Sequence, residues 1–196
     1  MALLNLEKKL EKKLFKKIKK IKIDIMQDLY RYHGKITVKL FFKSYFLIPG
    51  FHYMCWFRIS QYWNNYLIQY ILLKKSITYG IQIPVGTKIK KGFYIGHFGG
   101  LVISSGAEIG NNCNISHNVT IGLNPRGKKK GIPVIGDNCY IAPGVKIIGN
   151  INIGNNVAIG ANAVVVNDVP NNAVVVGIPA KVISYDGAIG YINNKV

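Results

Sequence analysis

Between residues 83 and 165 of this 196-residue chain an aliphatic side chain returns at every sixth position in three successive runs. It falls on Ile83, Ile89 and Ile95, on Ile103, Ile109, Ile115 and Ile121, and on Ile135, Ile141, Ile147, Ile153, Ile159 and Val165. An α-helix repeats near 3.6 and a half-exposed strand near 2, so a fixed longer period predicts a solenoid. Each hexad reads as an aliphatic residue, a small one, two polar or glycine positions, a second small or β-branched residue and a variable one, as in "IGNNCN", "ISHNVT" and "IAPGVK". The aliphatic side chain fills a narrow core, while Gly and Asn tolerate positive φ and take the turn. Three such short strands close one triangular coil of about 18 residues.

In "IGHFGGLVISSGAEIGNNCNISHNVTIG", His97 and His117 are each the third residue of a hexad. Their spacing is one coil plus a two-residue bulge around Phe98 to Val102. The two are therefore expected to stack about 4.8 Å apart, one strand spacing, on the outside of one face. The next members of that face begin at Ile141 and Ile159, which sets Ala142 and Gly160 over each other as a shelf of small residues. By themselves these small residues are read more simply as turn geometry.

The hexads over about 77 to 183 resemble the hexapeptide-repeat acyltransferases, at least ten of them fitting the pattern. "IGHFGG" resembles the active-site element of serine acetyltransferases. "LIPGFHYMCWFRISQYW" resembles the helical segment ahead of their coils, and "DLYRYHG" at 28 to 34 the start of short-headed members that modify bacterial polysaccharides. The resemblance implies a mainly β fold, a left-handed parallel β-helix with a short N-terminal α-helical region, assembled as a homotrimer. It also implies acetyl-CoA as co-substrate, its pantetheine arm lying along Ala142 and Gly160 and the closing "GIPAKVI" (Pro179, Ala180, Lys181), with Lys181 facing a CoA phosphate. His97 falls on the catalytic histidine, a general base that takes the acceptor hydroxyl proton during direct transfer. His117 stands where serine enzymes often have Gln, and either orients the acceptor, meets the developing oxyanion or decorates the face.

Three departures bear on the acceptor. The aspartate that orients the catalytic imidazole in serine acetyltransferases is here Gln82, which fixes a tautomer but supplies no charge to an imidazolium. Their Arg-His pair before the next coil is replaced in "GLNPRGKKKGIPV", where Ile132 takes the place of the histidine. The end "SYDGAIGYINNKV" lacks their terminal isoleucine. With the short head, these shift the expected acceptor from free serine to a saccharide hydroxyl of a capsular or exopolysaccharide, serine O-acetylation in cysteine biosynthesis remaining the alternative. Two repeat histidines are too few for a zinc hydratase, so no metal is expected. A purely structural solenoid is the remaining reading, marked by a lack of CoA binding.

The net charge of +18 is uneven: residues 1–46 hold 13 Lys or Arg against 4 acids, and the other 150 residues hold 13 against 4. Along residues 1–33, Leu3, Leu6, Leu10, Leu14, Ile18, Ile21 and Ile25 step by three or four, leaving lysines on the other face of an amphipathic helix. Residues 1–22 then either lie on an anionic membrane surface or pack against a neighbouring subunit or helix, with a solvated lysine face. Without interleaved aromatics or a binding module, nucleic acid is disfavoured. Residues 34–76 suit one or two packed helices, 77–185 the β-helix and 186–196 a tail. His33 and His52 are read as packing or surface residues. Cys55, Cys113 and Cys139 lack CxxC spacing and are read as small buried thiols. No leader segment or membrane span is legible, so a cytoplasmic location is expected, peripheral to the membrane's inner face if residues 1–22 bind it.

Overall fold

The periodic residues build three flat parallel sheets. In this computed structural model, which describes residues 2–63 and 65–196 with side chains from residue 9 onward, strands numbered in chain order visit the sheets in turn. The first sheet runs β1 (Ile81–Gln82), β4 (Leu101–Ile103), β7 (Thr120–Gly122), β10 (Lys146–Ile148), β13 (Val164–Val165). The second runs β2 (Lys88–Ile89), β5 (Glu108–Ile109), β8 (Val134–Ile135), β11 (Asn152–Ile153). The third runs β3 (Tyr94–Ile95), β6 (Asn114–Ile115), β9 (Tyr140–Ile141), β12 (Ala158–Ile159), β14 (Val174–Gly177), with β15 (Ala180–Ser184) closing it antiparallel.

Register keeps the hexad. Ile95 pairs with Ile115, Ile115 with Ile141, Ile141 with Ile159 and Ile159 with Val175, all buried inside the triangle. The turns fall where the sequence places Asn and Gly. Asn112, Asn138, Asn156 and Asn172 hold positive φ at one corner, and Asn118 and Asn162 at another. Cys113 and Cys139 stack in the core as free thiols, and Cys55 is buried in the helical head.

The head runs three residues past the expected boundary at 76. Four helices, α1 (Ala2–His33), α2 (Val38–Leu47), α3 (Pro49–Tyr62) and α4 (Tyr66–Tyr79), carry the chain to the first coil. The stretch 34–76 thus holds three helices rather than one or two, the last running to Tyr79 and ending on Gly80 in the left-handed region. A "short" helical region is corrected accordingly: the fold is a four-helix head on a β-helix. Thr37 and Asn65 cap α2 and α4, their side chains accepting from Leu40 N and Ile68 N.

Head and coil are joined by a buried ion pair. Arg58 donates to both carboxylate oxygens of Asp28 at 2.8 and 3.1 Å and to the carbonyls of Ile89 and Lys90 at 2.6 Å each. Asp28 also accepts from Phe93 N at 2.9 Å. Both charges are almost wholly buried and hydrogen-bonded, the condition under which such a pair is tolerated. Nearby, the Tyr32 hydroxyl donates to Ile95 O and accepts from Ile95 N, fixing the strand just before His97.

The tail, residues 186–196, folds back over the third sheet. Val196 exchanges hydrogen bonds with the Asn112 side chain, Asn114 Nδ2 donates to Tyr191 O at 2.8 Å, and Tyr191 stacks on Tyr140 at 4.4 Å. No described helix is long and apolar enough to cross a membrane.

Candidate active site

His97 and His117 stand at the corner where the third sheet turns into the first. Because Gly96 N donates to Ile115 O at 3.0 Å, the third positions of the two hexads superpose. The imidazoles meet edge to face with centroids 5.8 Å apart at 83°. That exceeds the spacing between strand backbones because the rings are tilted rather than stacked flat. His97 is exposed and His117 half-buried, so the outer histidine is the one open to a reactant.

Two cavities share His97. One, of about 450 Å³, lies between the histidines and the first turn of α3, with Ile48, Pro49, Gly50 and Phe98 on its walls. No side chain caps that helix start, so its free N–H groups and the positive end of its dipole lie beside the histidines. The other, of about 330 Å³, opens over the third sheet between Arg31, Tyr94, Ser116, Tyr140 and Tyr191. Arg31 Nε donates to Gly92 O at 3.0 Å and Nη2 to Asn114 Oδ1. Burial pulls its guanidinium below the ordinary range, and burial pushes the phenols of Tyr32 and Tyr140 up.

Gly50 lets α3 approach β3 closely at the wall of the first cavity. A Cβ there would meet the branched Ile95 Cβ at 2.7 Å and the Ile95 carbonyl oxygen, held in the sheet, at 2.8 Å. Gly50→Ala should push α3 off the third sheet and cost about 1–3 kcal/mol of stability in a denaturant melt, as overpacking does. An unchanged midpoint would show that α3 does not press on β3.

Ala142 and Gly160 follow each other in adjacent strands, as the hexads predict. Gly96, Ser116, Ala142, Gly160 and Val176 succeed one another as a column across the third sheet by register. Ala142 is buried, and a Cβ on Gly160 would meet Val176 Cγ1 at 2.7 Å. The column ends at the β14–β15 hairpin, where Pro179 follows a cis peptide bond, Ala180 opens β15 and Lys181 pairs with Val176. From His117 to that hairpin is three strand spacings, about 14 Å.

Gln82 is not brought to His97 within the chain. It lies on β1 opposite Val102 and lines a separate cavity with Leu72, Leu73 and Ser76, and no hydrogen bond joins it to His97 among the described residues. The reason is a corner: β1 belongs to the first sheet, and its outward side chain faces away from the third. The loop with Ile132 is closed by an Asn124–Gly131 bridge, and Arg126, Lys128 and Lys130 on it are exposed. His52 stacks on Tyr45 at 4.2 Å and His33 contacts Ser44 Oγ at 2.7 Å, both in packing positions. Sequence reasoning missed Arg31, Tyr32 and Tyr191 as neighbours of His97. Only the "DLYRYHG" run had marked the first two.

Residues 132–167 match the family model described as bacterial transferase hexapeptide, six repeats. The chain is 37% identical over 145 residues to a serine acetyltransferase of Helicobacter pylori, covering 71% of this chain and 84% of that one. The chain belongs to the serine acetyltransferase family of hexapeptide-repeat transferases. As a member it is an acyltransferase. A Staphylococcus aureus serine acetyltransferase is 46% identical over 108 residues, and the chain spans about half of its length, 51%. Among solved structures, a serine acetyltransferase in complex with CoA superposes with a TM-score of 0.72 at 30% identity, covering 83% of this chain and 69% of that one. The Neisseria gonorrhoeae serine acetyltransferase gives 0.73 at 32%, with 84% and 66% covered.

These relatives overturn the saccharide acceptor. The expectation leaned on a short head, yet 145 residues make up 84% of the H. pylori serine acetyltransferase, so that enzyme is itself shorter than 196 residues. A short chain is therefore no sign of a sugar acceptor in this family, and neither Gln82 nor Ile132 outweighs the shared length.

Proposed function

We propose that the chain is an acetyl-CoA-dependent serine O-acetyltransferase with His97 as its general base. The observation that carries this is His97 at the mouth of two cavities, with His117 beside it in one of them, in a chain with serine acetyltransferase relatives along most of its length. The imidazole of His97 takes the proton of the serine hydroxyl as its oxygen attacks the thioester carbonyl. A C–O bond forms and the C–S bond breaks. The proton held on His97 then passes to the departing CoA sulfur, so no acyl-enzyme is needed. N–H groups at the start of α3 and the edge of His117 are suited to the charge that grows on the carbonyl oxygen.

The pantetheine arm follows the small-residue column from His117 over Ala142 and Gly160 to Pro179 and Ala180. Lys181 meets a phosphate at its end. The coil is left-handed, as the family likeness implies, and three copies assemble around it so that a neighbouring subunit closes this shelf. Gln82, pointing away from its own chain's His97, then serves orientation only toward a neighbour's site.

The test is acetyl-CoA-dependent thiol release with L-serine, beside a panel of bacterial glycans. Serine-dependent release is expected; release with a glycan and none with serine would overturn the reading. In the same assay His117→Ala should lower kcat about a hundredfold, the lower end of what one hydrogen-bond donor to a developing oxyanion contributes. An unchanged rate would reduce His117 to a surface residue.

A further inference from the structure

The apolar stripe of α1 is divided in two by the fold. Ile21, Ile25 and Leu29 are 6%, 8% and 0% exposed, packed with Phe51 and Cys55 of α3. Leu10, Leu14, Phe15 and Ile18 on the preceding turns are 57%, 49%, 70% and 46% exposed. The division has a geometric cause. The last residue of α3, Tyr62, accepts from Lys17 Nζ at 3.2 Å through its carbonyl and donates from its hydroxyl to Asp24 at 2.8 Å. The last residue of α3 thus meets α1 between Lys17 and Asp24, and residues 2–16 of α1 run on past it for roughly 20 Å at 1.5 Å per residue. Leu3 and Leu6 of the stripe lie outside the described side chains.

What covers this overhang is decided by charge. Lys9, Lys12, Lys13, Lys16, Lys17, Lys19, Lys20 and Lys22 stand on the same turns with Glu11 the one acid among residues 9–22. A second α1 laid along the stripe would bring two such lysine arrays together, whereas helices that pair along a seam set opposite charges on its flanks. The surroundings do not supply the missing anions, because no Asp or Glu occurs between Asp28 and Glu108. An apolar face framed by lysines matches a sheet of anionic headgroups over hydrocarbon. Beneath it an apolar cleft lined by Ile18, Ile21, Ile25, Phe41, Ile59 and Trp63 continues the stripe into the head.

We propose that residues 9–18 of α1 dock the enzyme on an anionic lipid bilayer, with Leu10, Leu14, Phe15 and Ile18 entering the headgroup boundary. The contact stops at Ile18 because the turns beyond it hold the head together. It leaves His97, on the coil, outside the contact, and it is independent of which acceptor is used.

The experiment is co-sedimentation of the full chain with vesicles of phosphatidylcholine alone and of phosphatidylcholine mixed with phosphatidylglycerol, with the assembly mass followed by light scattering. Binding to the mixed vesicles only, weakened by added salt, is expected. The double change Leu14→Ser with Ile18→Ser, both exposed, should weaken that binding about tenfold or more with mass and helicity unchanged. Lys12→Gln with Lys13→Gln and Lys16→Gln should do the same. No binding to the mixed vesicles, equal binding to both kinds, or a fall in assembly mass in the Leu14 and Ile18 variant would overturn the proposal. The last of these would assign the stripe to a second copy of the chain.

Discussion

His97→Ala is expected to lower kcat for acetyl transfer by about a thousandfold and to leave the fold intact, an effect within the range a positioned general base supplies. The side chain is exposed, and among the described residues its ring contact is with His117, so its removal opens no cavity in the core. The loss belongs in kcat, with the affinity for acetyl-CoA little changed, because the small-residue column lies on the neighbouring coils. Thiol release and a thermal melt on the same preparation check both halves. Turnover near that of the parent chain would remove His97 from the chemistry, and a lowered melting temperature would turn a catalytic assignment into a structural one.

The second large effect is on stability. Arg58→Ala should cost about 3–5 kcal/mol, read as a shift in the denaturant midpoint, because it leaves the Asp28 carboxylate buried without its cation. The loss spreads beyond the pair: the carbonyls of Ile89 and Lys90 lose their donor too, and these lie on the first coil. Asp28 reaches the same coil through Phe93 N, two residues before Ile95, whose backbone Tyr32 holds. Arg58→Ala should therefore also lower activity at temperatures where the coil remains folded, since the head carries Pro49 and Gly50 to the histidines. Replacing both partners, Asp28→Leu with Arg58→Met, should recover part of the stability, as apolar substitution of a buried pair often does. A single variant as stable as the parent would show that the pair does not join head to coil.

The acceptor shows how local departures mislead. Gln82 and Ile132 depart from the family's pattern, but Gln82 faces another cavity of its own subunit and Ile132 sits at the foot of an excursion closed by Asn124 and Gly131. A substitution informs about a substrate only where it touches one. Likeness along most of a serine acetyltransferase is the broader observation, and it directs the reading to serine.

The sequence by itself determined whatever depends on a short local period. A core position every sixth residue fixed the strands, their register and the buried ladder from Ile95 to Val175. Asn and Gly at the turns marked the corners, because few other residues hold positive φ there. The same arithmetic set His97 beside His117. The apolar stripe of α1 was equally legible, but how far it is buried was not, since that depends on where α3 ends. Only the tertiary structure decided the Asp28–Arg58 junction, the tail seated on Asn112 and Asn114, and the face to which Gln82 points. Those contacts join residues 30 to 84 positions apart, through single polar side chains that carry no periodic signal. A repeat can be read because every coil restates it, whereas a junction made once by one arginine and one aspartate is visible only when the chain has brought them together.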